Sequence, residues 1–387
     1  MSDNRTILYI GGFELPDRDA ASQRAFANAK AFRDLGYTVY FIGIEKKCKL
    51  PVEKTNMIFE GFSTFRIKYP KTLLEWYDYL FNIDYVKELS FLRPSIIIAY
   101  NYPAFALNKL HKYSLRNQIH LIADCTEWFL PEGNILYRII KKIDTKYRME
   151  KIHPKLDGMI AISKYLFDYY TIRMNNVIQI PPLVDKRMDK WVNEGDNCNP
   201  NIVLTYAGSP GSGNKDKINL VLRVLKDIKE HTKLAFEMFV IGISESQYKE
   251  SFKDYNHYND FVCFKGRISH KEALTAIKQS DYMIFLRDNN LVTTAGFPTK
   301  FPEAIACGTP VLTNLSSDIG MYLKDGINGF LIDVTSYEKI YSSIYNALCQ
   351  NKRTIKVMKY NCRNDATFDY HSYLFEFNKL LNNLEIK

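Results

Sequence analysis

Short apolar runs alternate with segments of helix length along the whole chain. Most of these runs are apolar at nearly every position, which is typical of strands buried on both faces of a parallel sheet. Helices between parallel strands predict doubly wound α/β sheets. The predicted strands form two series, first Ile7–Ile10, Thr38–Ile44, Ser95–Tyr100, His120–Asp124, Gly158–Ile162 and Val177–Ile180, then Ile202–Ala207, Glu237–Ile241, Phe261–Phe264, Tyr282–Leu286, Pro310–Leu312 and Gly329–Ile332.

A polar, turn-rich segment separates the two series. Residues 186–200 read KRMDKWVNEGDNCNP, and a new strand, loop and helix then begin. We therefore predict two Rossmann-like domains facing a cleft, residues 1–185 and 201–365, with residues 186–200 as the linker. Residues 366–387 are predicted to form a C-terminal helix, whose apolar face would carry Leu374, Phe377, Leu381 and Leu384.

Glycine turns follow the first strand of each series. In the first half, Gly11 and Gly12 precede a helix that is predicted to have Ser22 as its N-cap and to end at Gly36. In the second half, Gly208–Gly213 precede the next predicted helix. Ligands of doubly wound sheets bind outside the carboxyl ends of the strands, so both turns are candidate binding elements. A tight turn without a ligand explains Gly11 and Gly12 equally well.

The composition predicts a soluble protein with reduced thiols. The chain has 387 residues, 46% of them apolar and 25% charged, and a net charge of +9. Its seven cysteines are an odd number without a Cys-x-x-Cys pair, so neither a disulfide framework nor a zinc site is predicted. No signal-like N-terminus and no apolar run of about 20 residues is found, so we expect a cytoplasmic protein without a membrane span.

One stretch of the first half is rich in basic residues, namely Arg138, Lys141, Lys142, Lys146, Arg148, Lys151 and Lys155. We interpret this stretch as the solvated face of a helix. The alternative is peripheral contact with anionic lipid at the inner face of the membrane, where each basic residue would add about 1 kcal/mol. No recognition motif accompanies the charge, so no nucleic-acid partner is predicted.

The most informative segment is Thr293–Thr313, which reads TTAGFPTKFPEAIACGTPVLT. It predicts a small-residue loop beyond the strand that Arg287 ends, and then a short helix that starts near Lys300 and ends at Gly308. Backbone amides of the loop and of the helix start favour anions, and Lys300 adds a mobile positive charge. Glu303, in the first turn, can accept two hydrogen bonds from a vicinal diol such as a ribose.

Together these features would suit a nucleoside diphosphate. Each residue alone is equally well explained by a capped core helix with a surface lysine. The order of a small-residue loop, Pro-Thr-Lys, Glu and Ala-Cys-Gly-Thr-Pro-Val favours the binding site.

The segment FPTKFPEAIACGTPVLT resembles the donor-binding motif of retaining glycosyltransferases with the GT-B fold, in the family 4-like group that contains many bacterial cell-surface sugar transferases. Three further segments are similar to this family, namely YRMEKIHPKLDGMIAISKYLFDYY (147–170), VIQIPPLVD (177–185) and GRISHKEALTAIKQSDYMIFLR (266–287). The resemblance implies an acceptor-binding first domain, a nucleotide-sugar-binding second domain, and a terminal helix that crosses back to the first.

By this resemblance, Glu303 should bind the donor ribose, and Gly296 through Lys300 should wrap the diphosphate of a UDP-, GDP- or other nucleotide sugar. Arg267 and Ile268 should lie near the base. The full set of predicted donor contacts is Gly11, Gly12, Gly208, Ser209, Lys215, Lys217, Arg267, Ile268, Arg287, Thr294, Ala295, Gly296, Phe297, Pro298, Thr299, Lys300 and Glu303.

The resemblance implies transfer of a hexose to a glycan or lipid-linked acceptor, with retention, in cell-surface polysaccharide biosynthesis. No metal and no other cofactor is expected, so Lys300, the Gly296 amides and the helix start would stabilise the leaving diphosphate. The leaving phosphate oxygen would take the acceptor proton, and closure of the domains would exclude water. The predicted catalytic residues are Lys300, Glu303, Asp124 and Glu127, the last two orienting the acceptor.

Three positions depart from the family pattern. Ala295 stands where an acidic residue commonly contacts the donor sugar, Ser209 where an arginine often follows a glycine, and Asn101 where a histidine often ends a strand. The second cation is assigned to Lys215 or Lys217. These departures leave open a non-catalytic partner subunit with a degenerate donor site. A GT-B nucleotide-sugar epimerase and a phosphorylase are further alternatives. An NAD dehydrogenase is the least favoured, because the sequence lacks the Gly-x-Gly-x-x-Gly fingerprint of dinucleotide binding.

The string Asp17-Arg18-Asp19 matches the metal-binding Asp-x-Asp of a different glycosyltransferase fold. It precedes the first predicted helix, where acidic residues suit the helix dipole. We therefore interpret the string as a cap or an acceptor contact rather than a metal site.

Overall fold

The chain divides into two structural units. The computed structural model describes residues 5–14, 19–46, 52–128, 135–192, 199–208, 215–252, 258 and 260–385. The first unit comprises residues 1–185, 295–297 and 369–387, and the second comprises residues 186–294 and 298–368.

The first unit is built on a sheet that has eight strands among the described residues. They are β1 (Thr6–Gly11), β2 (Thr38–Glu45), β3 (Val52–Phe59), β4 (Phe62–Lys68), β5 (Ile96–Tyr100), β6 (His120–Cys125), β7 (Gly158–Ala161) and β8 (Val177–Gln179). Their order is β3-β4-β2-β1-β5-β6-β7-β8. All neighbours are parallel except β3 and β4, which form an antiparallel edge pair that the sequence did not predict.

Helices connect these strands. Over the described part of the first 185 residues they are α1 (Ala20–Asp34), α2 (Leu73–Phe81), α3 (Asp84–Glu88), α4 (Ala104–Arg116), α5 (Ile135–Tyr147) and α6 (Lys164–Thr171). The β–α alternation confirms the predicted doubly wound arrangement.

Asp19 caps α1, so the prediction that Ser22 is the N-cap is wrong. The Asp19 Oδ1 atom accepts a hydrogen bond from the Ser22 amide at 2.8 Å, and the two residues form a capping box. A carboxylate that accepts from first-turn amides is held at a helix start, which supports the capping interpretation of Asp19. Asp17 and Arg18 lie outside the described residues. After α1 the chain turns at Gly36, whose φ of +89° favours glycine.

The second unit is built on a fully parallel sheet of six strands within its described ranges. They are β9 (Ile202–Ala207), β10 (Phe236–Ile241), β11 (Val262–Gly266), β12 (Tyr282–Ile284), β13 (Val311–Thr313) and β14 (Gly329–Leu331). Their order is β11-β10-β9-β12-β13-β14. The second predicted series of strands is thereby confirmed.

The helices between and after these strands are α7 (Ile218–His231), α8 (Glu245–Ser251), α9 (His270–Gln279), α10 (Leu291–Ala295), α11 (Lys300–Ala306), α12 (Ile319–Tyr322), α13 (Tyr337–Leu348) and α14 (Lys352–Asn364). The α10 helix corrects the predicted small-residue loop at this position. Asn290 starts it, because its side chain accepts from the Thr293 amide at 3.0 Å and its carbonyl accepts from the Thr294 amide at 2.8 Å.

The terminal helix α15 (Leu374–Glu385) belongs to the first unit, as the predicted crossing back requires. Phe377 packs edge-on against Phe32 of α1, with ring centroids 5.0 Å apart. Phe377, Leu381 and Leu384 are buried, so the predicted apolar face is the packing face.

Each sheet has one point where the strand order reverses. In the first sheet this point lies between β1 and β5, and in the second sheet between β9 and β12. Loops that leave the carboxyl ends of two such strands diverge to opposite sides and open a crevice, which is where doubly wound proteins bind ligands. We therefore expect a ligand of the second unit to bind at the residues that follow β9 and β12.

Candidate functional site

A buried carboxylate holds two cations beside β9 and β12. Asp216 is 2% exposed, and its Oδ1 accepts a hydrogen bond from Arg287 Nε at 2.8 Å. Its Oδ2 lies 2.7 Å from Lys300 Nζ and accepts from the Tyr206 hydroxyl at 2.9 Å. Two cations and one carboxylate give this cluster a net charge of +1. We call Asp216, Arg287, Lys300 and Tyr206 the cation cluster.

The cation cluster stays charged at neutral pH. Burial acts to raise the pKa of Asp216, but Lys300 and Arg287 outweigh burial and lower the pKa from 3.8 to about 2. Burial, reinforced by Asp216, raises the pKa of Tyr206 far above its usual value. The hydroxyl of Tyr206 therefore keeps its proton and donates a hydrogen bond to the carboxylate.

The topology of the second sheet brings this cluster together. Tyr206 lies in β9 and Asp216 in the turn before α7, whereas Arg287 follows β12 and Lys300 begins α11. Lys300 Nζ also lies 5.3 Å from the centroid of the Tyr206 ring. Lys300 was predicted to carry a mobile charge, and this is corrected, because Asp216 and Tyr206 hold its ammonium in place.

Glu303 lies one helical turn after Lys300 and keeps its carboxylate available. The side chain is 22% exposed, and Oε1 lies 3.8 Å from His270 Nε2, beyond hydrogen-bonding distance. Among the residues that the structure describes, no group donates a hydrogen bond to this carboxylate. A partly buried carboxylate with both oxygens available can accept the two hydrogen bonds of a vicinal diol.

Arg287 is the cation that shares Asp216 with Lys300, and the assignment of Lys215 or Lys217 to the diphosphate stays a prediction. Lys217 begins α7 with a left-handed φ of +44°, and its Nζ lies 2.6 Å from Asp288 Oδ2 at the surface. Lys215 is exposed. Ser209 lies outside the described residues.

The end of α10 and the turn between α10 and α11 are largely buried. Thr294 and Thr299 are half-buried, and Ala295, Gly296, Phe297 and Pro298 are buried. Ala295 is one of the three residues, 295–297, that belong to the first unit, and its carbonyl accepts a hydrogen bond from Ser163 Oγ at 2.7 Å.

The start of α11 offers fewer amides to an anion than the sequence predicted. The Phe301 amide donates to the Pro298 carbonyl at 3.0 Å, and the Glu303 amide donates to the Thr299 carbonyl at 3.3 Å. The positive charge at this place therefore comes mainly from side chains.

The residues predicted to lie near the base follow the edge strand of the second sheet. Arg267 is exposed and Ile268 is half-buried, directly after β11. Strand β10 separates β11 from β9, so these residues lie two strands from the cation cluster. Their role in base binding stays a prediction.

Asp124 is part of a buried network in the first unit, which corrects its predicted role in orienting the acceptor. It is fully buried, and Arg24 donates to it from both Nε and Nη2, the latter at 2.8 Å. The Tyr9 hydroxyl donates to Oδ2 at 2.5 Å, and Asn28 Nδ2 does so at 3.3 Å. Burial and then Asp124 raise the pKa of Tyr9, so its hydroxyl remains a donor. Both oxygens of Asp124 are thus engaged inside the unit.

The other predicted site residues of the first unit, Glu127, Gly11 and Gly12, differ in their exposure to solvent. Glu127 is half-buried, which leaves its predicted role untouched. At Gly11, an added Cβ would lie 2.7 Å from Tyr100 Cβ, so the close approach of β1 and β5 already requires glycine. Gly12 is exposed, and an added Cβ would lie 3.3 Å from the Tyr79 hydroxyl.

One group of described residues has the spacing of metal ligands, namely Asp185, Asp369 and His371 in the first unit. Lys30 Nζ lies 2.9 Å from Asp185 Oδ2, and His371 Nδ1 bonds to Asp369. A backbone bridge pairs Val184 with Asp369. The ammonium of Lys30 on Asp185 would repel a metal ion at this place. The group is therefore better suited to holding the chain segment before α15 against residues 184 and 185.

A family model of glycosyltransferases matches part of the chain. Residues 203–365 match the family model described as glycosyl transferases group 1. This match extends over most of the second unit. All four residues of the cation cluster, and Glu303, lie within the matched residues. A sequence search of curated proteins finds no match.

Solved structures of glycosyltransferases resemble the chain over nearly its full length. Sucrose-phosphate synthase from Thermosynechococcus elongatus shares 13% identity, with 99% of each chain covered and a TM-score of 0.69. HepE from Anabaena, solved in complex with UDP and glucose, shares 14%, with 98% and 99% covered and a TM-score of 0.66. A point mutant of TarM from S. aureus, in complex with fondaparinux, alpha-GlcNAc-glycerol and UDP, shares 11%, with 98% and 99% covered and a TM-score of 0.67.

This likeness confirms that the two sheets form the GT-B fold of glycosyltransferases. At identities of 11% to 14% it establishes the fold and leaves the substrates of the present chain open.

The matched residues include one site residue that was not predicted from the sequence, which is Asp216. A signal for it exists, because an acidic residue stands between Lys215 and Lys217 at the end of a glycine-rich loop. A buried acid is normally paired with a cation, so an acid in that place predicts cationic partners. Only the two flanking lysines of this segment were predicted from the sequence to bind the donor.

Proposed function

We propose that this glycosyltransferase moves a hexose from a nucleoside diphosphate sugar to a glycan or lipid-linked acceptor, with retention and without a metal. The observation that carries the proposal is the cation cluster with its net charge of +1, placed at the reversal point of the second sheet. Such a pre-positioned charge stabilises a leaving diphosphate without reorganisation at the moment of reaction.

Each side chain has one task in the proposed mechanism. Lys300 and Arg287 face the diphosphate, and Asp216 fixes their positions. Glu303 accepts the two hydroxyl groups of the ribose. Retention, supported by the family resemblance, would have the acceptor attack on the side of the leaving group, so that a phosphate oxygen takes its proton. A role in cell-surface polysaccharide synthesis rests on the same resemblance.

UDP is the first nucleotide to test, because the HepE and TarM structures were solved with it. A second candidate function is a nucleotide-binding subunit without transfer activity. Ala295 favours it, because that position lacks the carboxylate that commonly contacts the donor sugar. Measurement of product formation separates the two, since both would bind the nucleotide.

A thermal-shift screen across UDP-, GDP-, ADP- and CDP-sugars tests the donor site. At least one should raise the melting temperature, since a ligand at 100 times its Kd adds about 2.7 kcal/mol to folding stability. Glu303→Ala should abolish the shift and Lys300→Ala should reduce it. The control is Glu250→Ala, an exposed glutamate on α8 of the same unit, which should behave as the wild type. A screen in which no nucleotide changes the melting temperature contradicts the proposal.

Gly208→Ala should weaken nucleotide binding by about tenfold, the effect of one displaced charge-assisted hydrogen bond. An added Cβ would lie 2.4 Å from Lys300 Nζ, so the ammonium must move away from Asp216. Calorimetric titration measures the loss. Gly326→Ala is the matched control, because Gly326 also has a positive φ, +70°, but nothing within 4 Å of an added Cβ. Equal affinities of the two variants would show that the position of Lys300 is unimportant.

A further inference from the structure

Helix α5 packs against the protein with its polar side. Asp144 and Thr145 are 7% and 4% exposed, whereas Ile139 and Ile143 are 51% and 54% exposed. Ile135, four residues before Ile139, is 75% exposed. Residues spaced by four lie on one helical face, so a row of isoleucines points to solvent. An amphipathic helix of a soluble protein normally has the opposite orientation.

One buried hydrogen bond fixes this orientation. Asp144 Oδ1 accepts from the Ala104 amide at 2.8 Å, at the start of α4. The N-cap of α4 is Pro103, which provides no side-chain cap, so the carboxylate of Asp144 satisfies an amide that would otherwise lack a partner. Rotation of α5 to bury the isoleucines would break this bond and expose the α4 start.

The apolar surface continues beyond α5. The rings of Tyr77 and Phe81 on α2 stack at 4.7 Å, Phe81 stacks on Phe105 of α4 at 4.8 Å, and Phe105 lies 5.6 Å from Tyr147 of α5. Tyr77 is 61% exposed and Phe105 39%. We define the apolar ridge as the exposed residues of this surface, which are Ile135, Ile139, Ile140, Ile143, Tyr77 and Phe105.

Cations border the apolar ridge. Arg138, Lys142 and Lys146 of α5 are exposed. Lys142 and Lys146 lie on the helix next to Ile139 and Ile143, because each is three residues beyond one of them. An exposed helix with apolar residues on one face and basic residues beside them is the pattern of segments that lie in a membrane interface. The described helices include none that is long and apolar enough to cross a membrane.

A second copy of the chain fits this surface poorly. A symmetric dimer would place the same cation-bordered patch on both partners, so that the interface would gather like charges. An anionic lipid surface satisfies both features, because its headgroups pair with the cations and its acyl region accepts the isoleucines.

We propose that the apolar ridge docks this protein on anionic membranes. The isoleucines insert at the boundary between headgroups and acyl chains, and the flanking lysines contact lipid phosphates. This reverses the interpretation of the basic stretch as a solvated helix face. It goes beyond the proposed function and uses no residue of the nucleotide site, so it can be tested and can fail independently.

The test is co-sedimentation of the full chain with two kinds of vesicle, one of phosphatidylcholine alone and one of equal parts phosphatidylcholine and phosphatidylglycerol. We expect binding to the anionic vesicles to be at least about tenfold tighter, and to weaken in about 1 M salt, where the screening length is about 3 Å. Ile139→Asp/Ile143→Asp and, separately, Lys142→Glu/Lys146→Glu should each lower the affinity at least about tenfold.

Matched controls come from exposed positions outside the ridge. Leu115→Asp/Ile172→Asp and Lys112→Glu/Arg116→Glu change the same kinds of residue in the same unit and should bind within about twofold of the wild type. Unchanged melting temperatures show that the variants fold. The proposal is overturned if the wild type does not bind anionic vesicles, or if the ridge variants bind like the controls. It is also overturned if light scattering shows that Ile139→Asp/Ile143→Asp abolishes a dimer while vesicle binding persists.

Discussion

Lys300→Ala is expected to lower turnover of the nucleotide sugar by about a hundredfold or more, as loss of one pre-positioned charge at a developing anion typically does. The Nζ of Lys300 is fixed 2.7 Å from Asp216 Oδ2, beside the second cation of the cluster. The variant keeps Arg287, so the nucleotide should still bind, with reduced affinity. Steady-state kinetics with the donor found in the thermal-shift screen, followed as donor hydrolysis or transfer, measures kcat and KM separately.

Lys352→Ala is the matched control for this experiment. Lys352 Nζ lies 2.6 Å from Asp281 Oδ2, another buried aspartate of the same unit. Asp281 precedes β12 and accepts from the Val203 amide near the start of β9, so this pair lies at the amino ends of the strands, opposite the cation cluster. Turnover of Lys352→Ala should stay within about twofold of the wild type, apart from any loss of stability. Equal turnover in both variants would remove Lys300 from the mechanism.

Asp216→Asn is expected to destabilise the second unit by about 3–5 kcal/mol, because removal of one partner leaves buried cations uncompensated. The side chains of Arg287 and Lys300 are only 8% and 13% exposed, so water shields their repulsion poorly. A bound nucleoside diphosphate supplies the missing negative charge. Its stabilising effect on the melting temperature should therefore be larger in the variant than in the wild type.

Asp288→Asn is the control for Asp216→Asn. Asp288 pairs with Lys217 at 2.6 Å but is 62% exposed, and such surface pairs contribute about 0–1 kcal/mol. Equal melting temperatures for the two variants would contradict the structural role of Asp216.

Lowering the pH should reduce the difference in folding stability between the wild type and Asp216→Asn. The pKa of Asp216 is lowered in the folded protein from 3.8 to about 2, so its ionised form contributes stability that is complete above pH 3.8. This contribution is lost as the pH falls through about 2. Melting curves of both proteins between pH 5 and pH 2 should converge at the acid end.

The sheets could be predicted from the sequence because parallel strands buried on both faces are marked by their composition. Ile96–Tyr100 reads IIIAY, a short run rich in β-branched residues, which is typical of such a strand. The β3–β4 pair was missed, because Val52–Phe59 reads VEKTNMIF, which is too polar to mark a strand. Its antiparallel edge position tolerates such a sequence.

The candidate site could be predicted only in part, because some of its residues are close in the sequence and others meet only in the fold. Lys300 and Glu303 stand three residues apart in a helical segment, so their proximity follows from local structure. The bond between Asp216 and Arg287 joins residues 71 positions apart, and only the pairing of β9 with β12 brings them together. Asp124 was misinterpreted for the same reason, since Arg24 is 100 positions away.

The carboxylate of Asp216 in the cation cluster also affects the rate at which the nucleotide product is released. Asp216 already balances one of the two positive charges, so a spent nucleotide is retained by the attraction of roughly one net charge rather than two. When the nucleotide departs, the ammonium of Lys300 keeps a partner 2.7 Å away instead of facing bare solvent. Release should therefore be easier than from a site with two unpaired cations, which suits an enzyme that must discharge a nucleoside diphosphate in every cycle.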